Sequence, residues 1–452
     1  MSGTEYDYDV IVVGGGTAGW VAALTAARSG SKVLLVERKG YPGGVLATGL
    51  PIHGFFDSSQ HKVVSGYADE LIQVLQTKGE SLGHHLTDLW FGGFACYNPA
   101  ALPHTVMELL MAAGVHMLFF AQVTGVLHRD SRVDGVVVQE KSRRTVYSAP
   151  VIVDASGDAI VPFLAGAPMQ MSDVRQPPTL VIRLQGVDIP RLRAHLKDTP
   201  GAYVDWRMNP GKKITNEFLD YTQFFYLHPE LVEQIVSRGP FNPIINRFMF
   251  TVTPDGTGVV INMLRARHVD GRDSKELTNA SVQLNYNIEP LVRGFRQLLP
   301  GFENCFLCGG EMEIQLRETM RITGRYTMTL EDVMEQRAFD DSIALGGYFI
   351  DIHSPEDNAG DWRRTEGHYG IPYRSLLPVD VHGVVCAGRC ISGTKEAAAS
   401  YRVMATCMAM GQAAGNAAHL SAARGVLLHE IPSGDIQALL REQNALFEVS
   451  RV

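Results

Sequence analysis

A chain of 452 residues is too long for one ordinary hydrophobic core, so two domains, or one domain with a large insert, is the starting expectation. Its hydrophobic share of 45% and charged share of 19% describe a globular protein, and a net charge of −8 without a basic run argues against a nucleic-acid partner. No apolar stretch reaches the roughly eighteen residues that a membrane span needs, because Arg402, Gln412 and Asn416 interrupt the apolar region near the C-terminus.

The segment Met1 to Asp9 is polar and acidic, lacks the basic and apolar regions of a secretory signal, and makes the cytoplasm the default location. Val10 to Val13 form an apolar run that stops at Gly14-Gly15-Gly16. An Ala-rich segment from Thr17 to Ser29 predicts a helix, and Val33 to Val36 a second strand, giving one βαβ unit. Gly14, Gly16 and Gly19 make Gly-x-Gly-x-x-Gly, which permits a tight turn, a close approach of the backbone to a pyrophosphate, and close packing of helix on strand. Glu37 ends the second strand, where a carboxylate accepts from a ribose 2′-hydroxyl. The unit therefore predicts a dinucleotide site. Gly43 and Gly44, in the loop that follows Arg38, let the chain pass close to the pyrophosphate or to a flat ring.

Farther on, residues 63–78 carry apolar positions at helical spacing, and residues 99–113 predict another helix ended by Gly114. Residues 79–99, rich in Gly, His and aromatics, match no regular pattern. Short strands are expected at 115–120, 122–128, 132–140 and 144–147, then an apolar strand that runs into the small-residue turn Asp154-Ala155-Ser156-Gly157-Asp158. From 169 to 369 the texture changes, with apolar runs at 179–184, 223–227, 247–253 and 258–265 that read as a sheet-rich insert. Thr329 is placed to cap a helix through the amide of Asp332. The α/β texture returns with a strand ending at Gly388 and one long helix from 398 to 424. The divisions are 1–168, 169–369 and 370–452, the first and last forming one nucleotide-binding domain.

The ordered set of an N-terminal glycine fingerprint, a Val-Asp-Ala-Ser-Gly-Asp turn near 155 and a late strand, Ala-Gly-Arg and Gly-x-Ala-Ala-Gly helix is similar to FAD-dependent oxidoreductases of the glutathione-reductase type. The segments 317–324, 351–355, 371–374 and 387–392 resemble the bacterial family called simply FAD-dependent oxidoreductase. The resemblance implies an α/β fold: a glutathione-reductase-type, Rossmann-like FAD domain with an inserted sheet-rich α+β substrate domain. It also implies non-covalent FAD, since no His or Cys lies in a recognisable attachment motif. The flavin nucleotide would be held by Gly14, Gly16, Thr17, Ala18, Gly19, Glu37, Arg38, Gly43 and Gly44. Val123, Ala155, Gly157, Asp158, Gly388, Arg389, Ala399, Arg402 and Val403 complete that set. Lys395 stands where the family commonly has His, and Arg389 where the wider class often has an acid.

A flavin enzyme must place a substrate C–H bond over N5, stabilise charge at N1–C2=O and move one proton. Backbone amides at a helix start near 397–401, or Lys395, are the expected source of the N1 field. His353 and Tyr369, then His53, are the expected proton carriers. Arg317 and Arg321, four apart, would share a helix face and with Arg374 clamp an anionic substrate, ion pairing with Glu318, Glu313 or Glu331 being the plainer role. Cys305 and Cys308 have dithiol spacing, with incidental packing preferred, and the six scattered cysteines read as reduced thiols with no zinc site. The expected activity is hydride transfer between a small organic substrate and FAD, as dehydrogenase, oxidase or reductase. A monooxygenase, or a non-catalytic or tRNA-modifying flavin-binding protein, is the alternative. A homo-oligomer is left open.

Overall fold

The computed structural model describes residues 6–87, 89–198, 222–226, 229–236, 247–309, 313–356 and 360–449; Met1 to Glu5 and Leu227 lie outside them. Its centre is a parallel five-stranded sheet in the order Val384–Cys386, Val151–Asp154, Val10–Val13, Val33–Val36, His116–Leu118. Every pairing in it is parallel, with Val10 opposite Val151 and Val33, and Ile152 opposite Val384. Strands buried on both faces read as continuous Val/Ile/Leu runs, which is why these segments were legible. The order also shows that the two ends of the chain share one sheet, making the fold mixed α/β with a Rossmann-like core.

Helices cover one face. Gly19–Arg28 follows the first strand, and Met404–Arg424 lies across it so closely that a Cβ on Gly411 would stand 2.2 Å from the Ala18 carbonyl oxygen, and one on Gly415 2.5 Å from that of Ala22. The expected single helix from 398 is two, Lys395–Tyr401 and Met404–Arg424, separated at Arg402 and Val403. That break gives the long helix its own N-terminus. On the other face lies a three-stranded antiparallel sheet, Gln122–Arg129, Arg132–Gln139 and Arg144–Ser148.

The region without an expected element, 79–99, holds strands Ser81–Leu86 and Gly93–Tyr97, which pair with each other, the second also pairing with Ile52–His53. Gly83, at φ +81°, and a bulge between Ser81 and Gly83 break the period-2 pattern that would have announced them. The amphipathic helix expected at 63–78 is Tyr67–Thr77, and that at 99–113 is Ala101–Ala112. Thr329 caps Leu330–Met334 reciprocally with Asp332.

An antiparallel sheet occupies the middle of the chain in the order Thr222–Tyr226, Arg247–Val252, Gly258–Arg265, Thr179–Gln185, Phe306–Leu307. Its core runs from Leu180 to Ile314 and includes the helices Ser274–Tyr286 and Ile288–Leu298. Ile322, Met328, Ile343 to Leu345 and Ile350 pack instead with the core that surrounds the parallel sheet.

Candidate active site

A cavity of about 390 Å³ opens at the carboxyl ends of the parallel strands, where ligands of such sheets bind. One end is made of backbone. Gly14 has φ +92°, and a Cβ there would lie 2.8 Å from the Ala155 carbonyl oxygen; a Cβ on Gly19 would lie 1.8 Å from that of Gly14. Gly16 has nothing within 4 Å of its missing Cβ, so its backbone faces open space. The helix that follows begins at N-cap Ala18 with no side-chain cap, and of its first-turn amides that of Trp20 donates to the Gly16 carbonyl at 3.2 Å, the others being left for an anion. This is a cradle of pyrophosphate character.

Thr17, Ala18, Glu37, Arg38 and Gly44 also line this end, as do Ala155, Gly157 and Asp158. The Glu37 carboxylate accepts from the amides of Gly15 at 2.7 Å and Lys39 at 2.8 Å, so it braces the turn while facing the cavity. Gly19 and Gly43 serve by packing: Gly43 donates its N–H to the Gly15 carbonyl at 2.7 Å. Val123 is buried in the core under the three-stranded sheet, and Ala399 is buried in its own helix; neither reaches the cavity.

Gly388 and Arg389 line the middle. Arg389 is not available as a phosphate clamp, because its guanidinium donates to the carbonyls of Gly157 and Leu316 and pairs with Asp158 at 2.8 Å. It ties the late strand to the turn after Asp154.

Side chains build the other end. Strand Ile350–His353 presents Asp351 and His353 on one face, the i, i+2 relation of a strand. Asp351 accepts from His353 Nε2 at 3.0 Å, from Trp362 Nε1 at 3.0 Å and from Arg402 Nη2 at 3.0 Å. Burial works to raise this carboxyl, but His353, Arg402 and Arg317 hold it well below the usual carboxylate range. His353 Nδ1 meets Arg265 Nη1 at 3.3 Å. Burial pushes His353 down to about 3, Asp351 pulling it up and Arg317 and Arg265 pushing it down further. With Arg265 donating to one ring nitrogen and Asp351 accepting from the other, His353 is a neutral link between them.

Arg317 reaches the same place. Its Nη1 donates to the Pro177 carbonyl and to Thr179 Oγ1, both neutral, and no carboxylate pairs with it among the described residues. Burial, with Arg265 and Arg402 nearby, pushes Arg317 down to about 9, Asp351 pulling the other way. His53 lines the cavity with Nδ1 unpartnered and its ring against Phe91 and Tyr348, centroids 4.6 and 5.7 Å away. Burial pushes it down to about 4, Asp351 pulling the other way.

Four expectations for this end are corrected. Tyr369 is fully buried, its hydroxyl 2.7 Å from Ser400 Oγ and its side chain outside the cavity. Lys395 donates to the Val174 carbonyl at 2.6 Å, again outside, and Thr394 caps its helix through the Ala397 amide, so neither supplies a field in the cavity. The helix start that lines it is that of Met404–Arg424, whose N-cap Val403 offers no side-chain cap. Residues 317–321 form no helix: Arg321 is buried against Glu318 at 3.3 Å and the Gly393 carbonyl, and Arg374 stacks on Tyr326 and pairs with Asp341. The plainer ion-pair role thus holds for Arg321 and not for Arg317.

Arg265, Asp351 and Tyr348 were missed. The alternation Asp351-Ile352-His353 was the available signal; nothing local in the sequence marks Arg265 or Tyr348.

Two curated relatives are similar over part of the chain. Digeranylgeranylglycerophospholipid reductase 1 of Methanococcoides burtonii is 25% identical over 269 residues, 52% of this chain and 63% of the relative. Protein FixC of Salmonella typhi is 28% identical over 167 residues, 34% of this chain and 37% of the relative. The chain thus spans less than two thirds of each. Among solved structures, a geranylgeranyl bacteriochlorophyll reductase-like protein of Thermoplasma acidophilum aligns with 98% of this chain and 84% of its own, at 14% identity and TM-score 0.47. Residues 9–440 match the profile of the FAD dependent oxidoreductase family, and the chain belongs to that family: an enzyme whose cofactor is FAD.

Proposed function

We propose that this oxidoreductase transfers a hydride between FAD and a small carboxylate-bearing substrate, held by Arg317 with Arg265 beside it. The observation that carries the reading is Arg317, a partly buried guanidinium lining the cavity whose hydrogen-bond partners among the described residues are all neutral. Asp351 acts on Arg317 through space but is hydrogen-bonded elsewhere, and three guanidinium groups, Arg265, Arg317 and Arg402, outnumber it here; the planar fork of Arg317 matches a carboxylate bidentately. Asp351 is committed to His353, Trp362 and Arg402, and so keeps those groups in place.

The glycine turn and Val403 would hold FAD between them, and it would supply the two-electron chemistry there. The unpaired amides at the start of Met404–Arg424 offer a positive field there. His53 lines the cavity with a ring that burial keeps neutral, and we assign it the proton that accompanies the hydride. Phe91, Phe94 and Tyr348 around it exclude water. The reading includes a glutathione-reductase-type FAD domain, non-covalent attachment and a cytoplasmic enzyme, the last in keeping with six unpaired cysteines. The substrate domain is assigned to about 169–319, since the residues after Met320 pack with the first core. No helix among the described residues is long and apolar enough to cross a membrane.

The test is titration of the FAD-loaded protein with small carboxylates and their amides, followed by perturbation of the flavin spectrum. Saturable shifts with carboxylates, absent for the amides and lost in Arg317→Gln, support the reading. Equal shifts with both series contradict it.

A further inference from the structure

Outside the cavity, Asp57, His61 and His368 bring one carboxylate oxygen and two imidazole nitrogens within 4.8 Å of one another. Asp57 Oδ2 stands 2.8 Å from His368 Nδ1 and 3.3 Å from His61 Nδ1. Bonds of about 2.0–2.2 Å to a common cation put neighbouring ligand atoms roughly 2.8–3.6 Å apart, a range that holds both Asp57–imidazole distances, while the two imidazole nitrogens lie within 4.8 Å of each other and a cation would draw them together. The other oxygen, Oδ1, accepts from the backbone amides of Ser59 and His61, both at 2.9 Å. That contact fixes the carboxylate with Oδ2 turned to the two rings, the outer support that metal-binding carboxylates have.

The donor set also has the right chemistry. Two imidazoles and one carboxylate suit a divalent transition-metal ion. Asp57 has a fully buried side chain and His368 a nearly buried one, whereas the His61 side chain is 57% exposed, leaving an entry path and room for a water. We propose that Asp57, His61 and His368 form a binding site for one divalent cation of the zinc type.

The site joins two segments 311 residues apart in sequence. Ser58 Oγ donates to the Thr365 carbonyl beside it, and a Cβ on Gly347 would come within 2.9 Å of Asp57 Cβ. Gly347 precedes Tyr348, which lines the cavity. A cation here braces the wall behind Tyr348 without touching the substrate. No metal was expected from the sequence, because Asp57 and His61 are separated by three residues in a loop and their third partner is distant.

The experiment uses the FAD-loaded, full-length protein stripped with a chelator and titrated with Co²⁺, read by visible d–d absorption, and with Zn²⁺, read by the melting temperature. One equivalent should bind, with the melting temperature raised by about 2–5 °C at saturation. His61→Ala, at an exposed position, should abolish both signals and leave the flavin spectrum unchanged. His368→Asn should do the same. Binding weaker than roughly 1 mM in the wild type, or undiminished uptake in His61→Ala, overturns the proposal and leaves a hydrogen-bonded His-Asp-His cluster.

Discussion

At the nucleotide end of the cavity the contacts come from Gly14 to Ala18, Gly44 and Gly157, where missing side chains and a helix start shape the space. At the substrate end they come from His53, Arg265, Arg317, Asp351 and Arg402, each on a separate segment. At the first end Gly14, Gly19 and Gly44 tolerate no added side-chain carbon. The second depends on charges whose partners lie far away in sequence. A backbone cradle fixes a common cofactor, whereas a side-chain cluster can change its substrate by single substitutions, and the two ends should therefore fail differently.

The most severe break should come at the turn. Gly19→Val puts its first side-chain carbon against the Gly14 carbonyl, so it should destabilise the fold by more than about 3 kcal/mol. Purification without flavin and a fall in melting temperature are the readouts. Next, Arg317→Gln should leave FAD bound and the fold intact while raising the substrate KM about 10- to 100-fold. Loss of flavin in that variant would blur the distinction between the two ends.

Glu37→Gln should weaken FAD about tenfold, because the amide oxygen accepts from only one of the two loop N–H groups while its NH2 meets the other donor to donor. Arg374→Ala should change neither FAD binding nor KM, since that guanidinium lies on Tyr326 and Asp341 outside the cavity.

Acidity separates the ends as well. His53 and His353 are held neutral, at about 4 and about 3, below the ordinary histidine value of 6.5. Between these values and 6.5 the unfolded chain binds protons that the folded chain does not, so stability should be full above about 6.5 and fall as the pH drops toward 4. His53→Gln should flatten part of that slope in urea melts across pH 4–7. In the wild type, activity should hold through pH 5 and lose its base only near 4. An acid limb centred near 6.5 would remove His53 from the proton step.

The nucleotide end was legible because its requirements are local: four apolar residues, a glycine turn and a terminal acid lie within one short stretch, and each type has a single physical reason to be there. The break at Arg402 and Val403 was hidden, as Ala-rich sequence continues on both sides while tertiary packing decides where the helix stops. Tyr369 looked like an acid because tyrosine can be one; its burial beside Ser400 is a property of the assembled core. Arg317 was picked for the wrong geometry. Its neighbours at 265 and 402 meet it only when the antiparallel sheet closes on the parallel one.

The central claim is tested most directly by anaerobic mixing of the FAD-loaded enzyme with a panel of small carboxylates, each paired with its neutral amide, while the visible flavin band is followed. The account predicts bleaching by at least one carboxylate, none by its amide, and a rate lowered at least tenfold at low substrate in Arg317→Gln. Bleaching by neutral compounds at rates that Arg317→Gln leaves unchanged would contradict it.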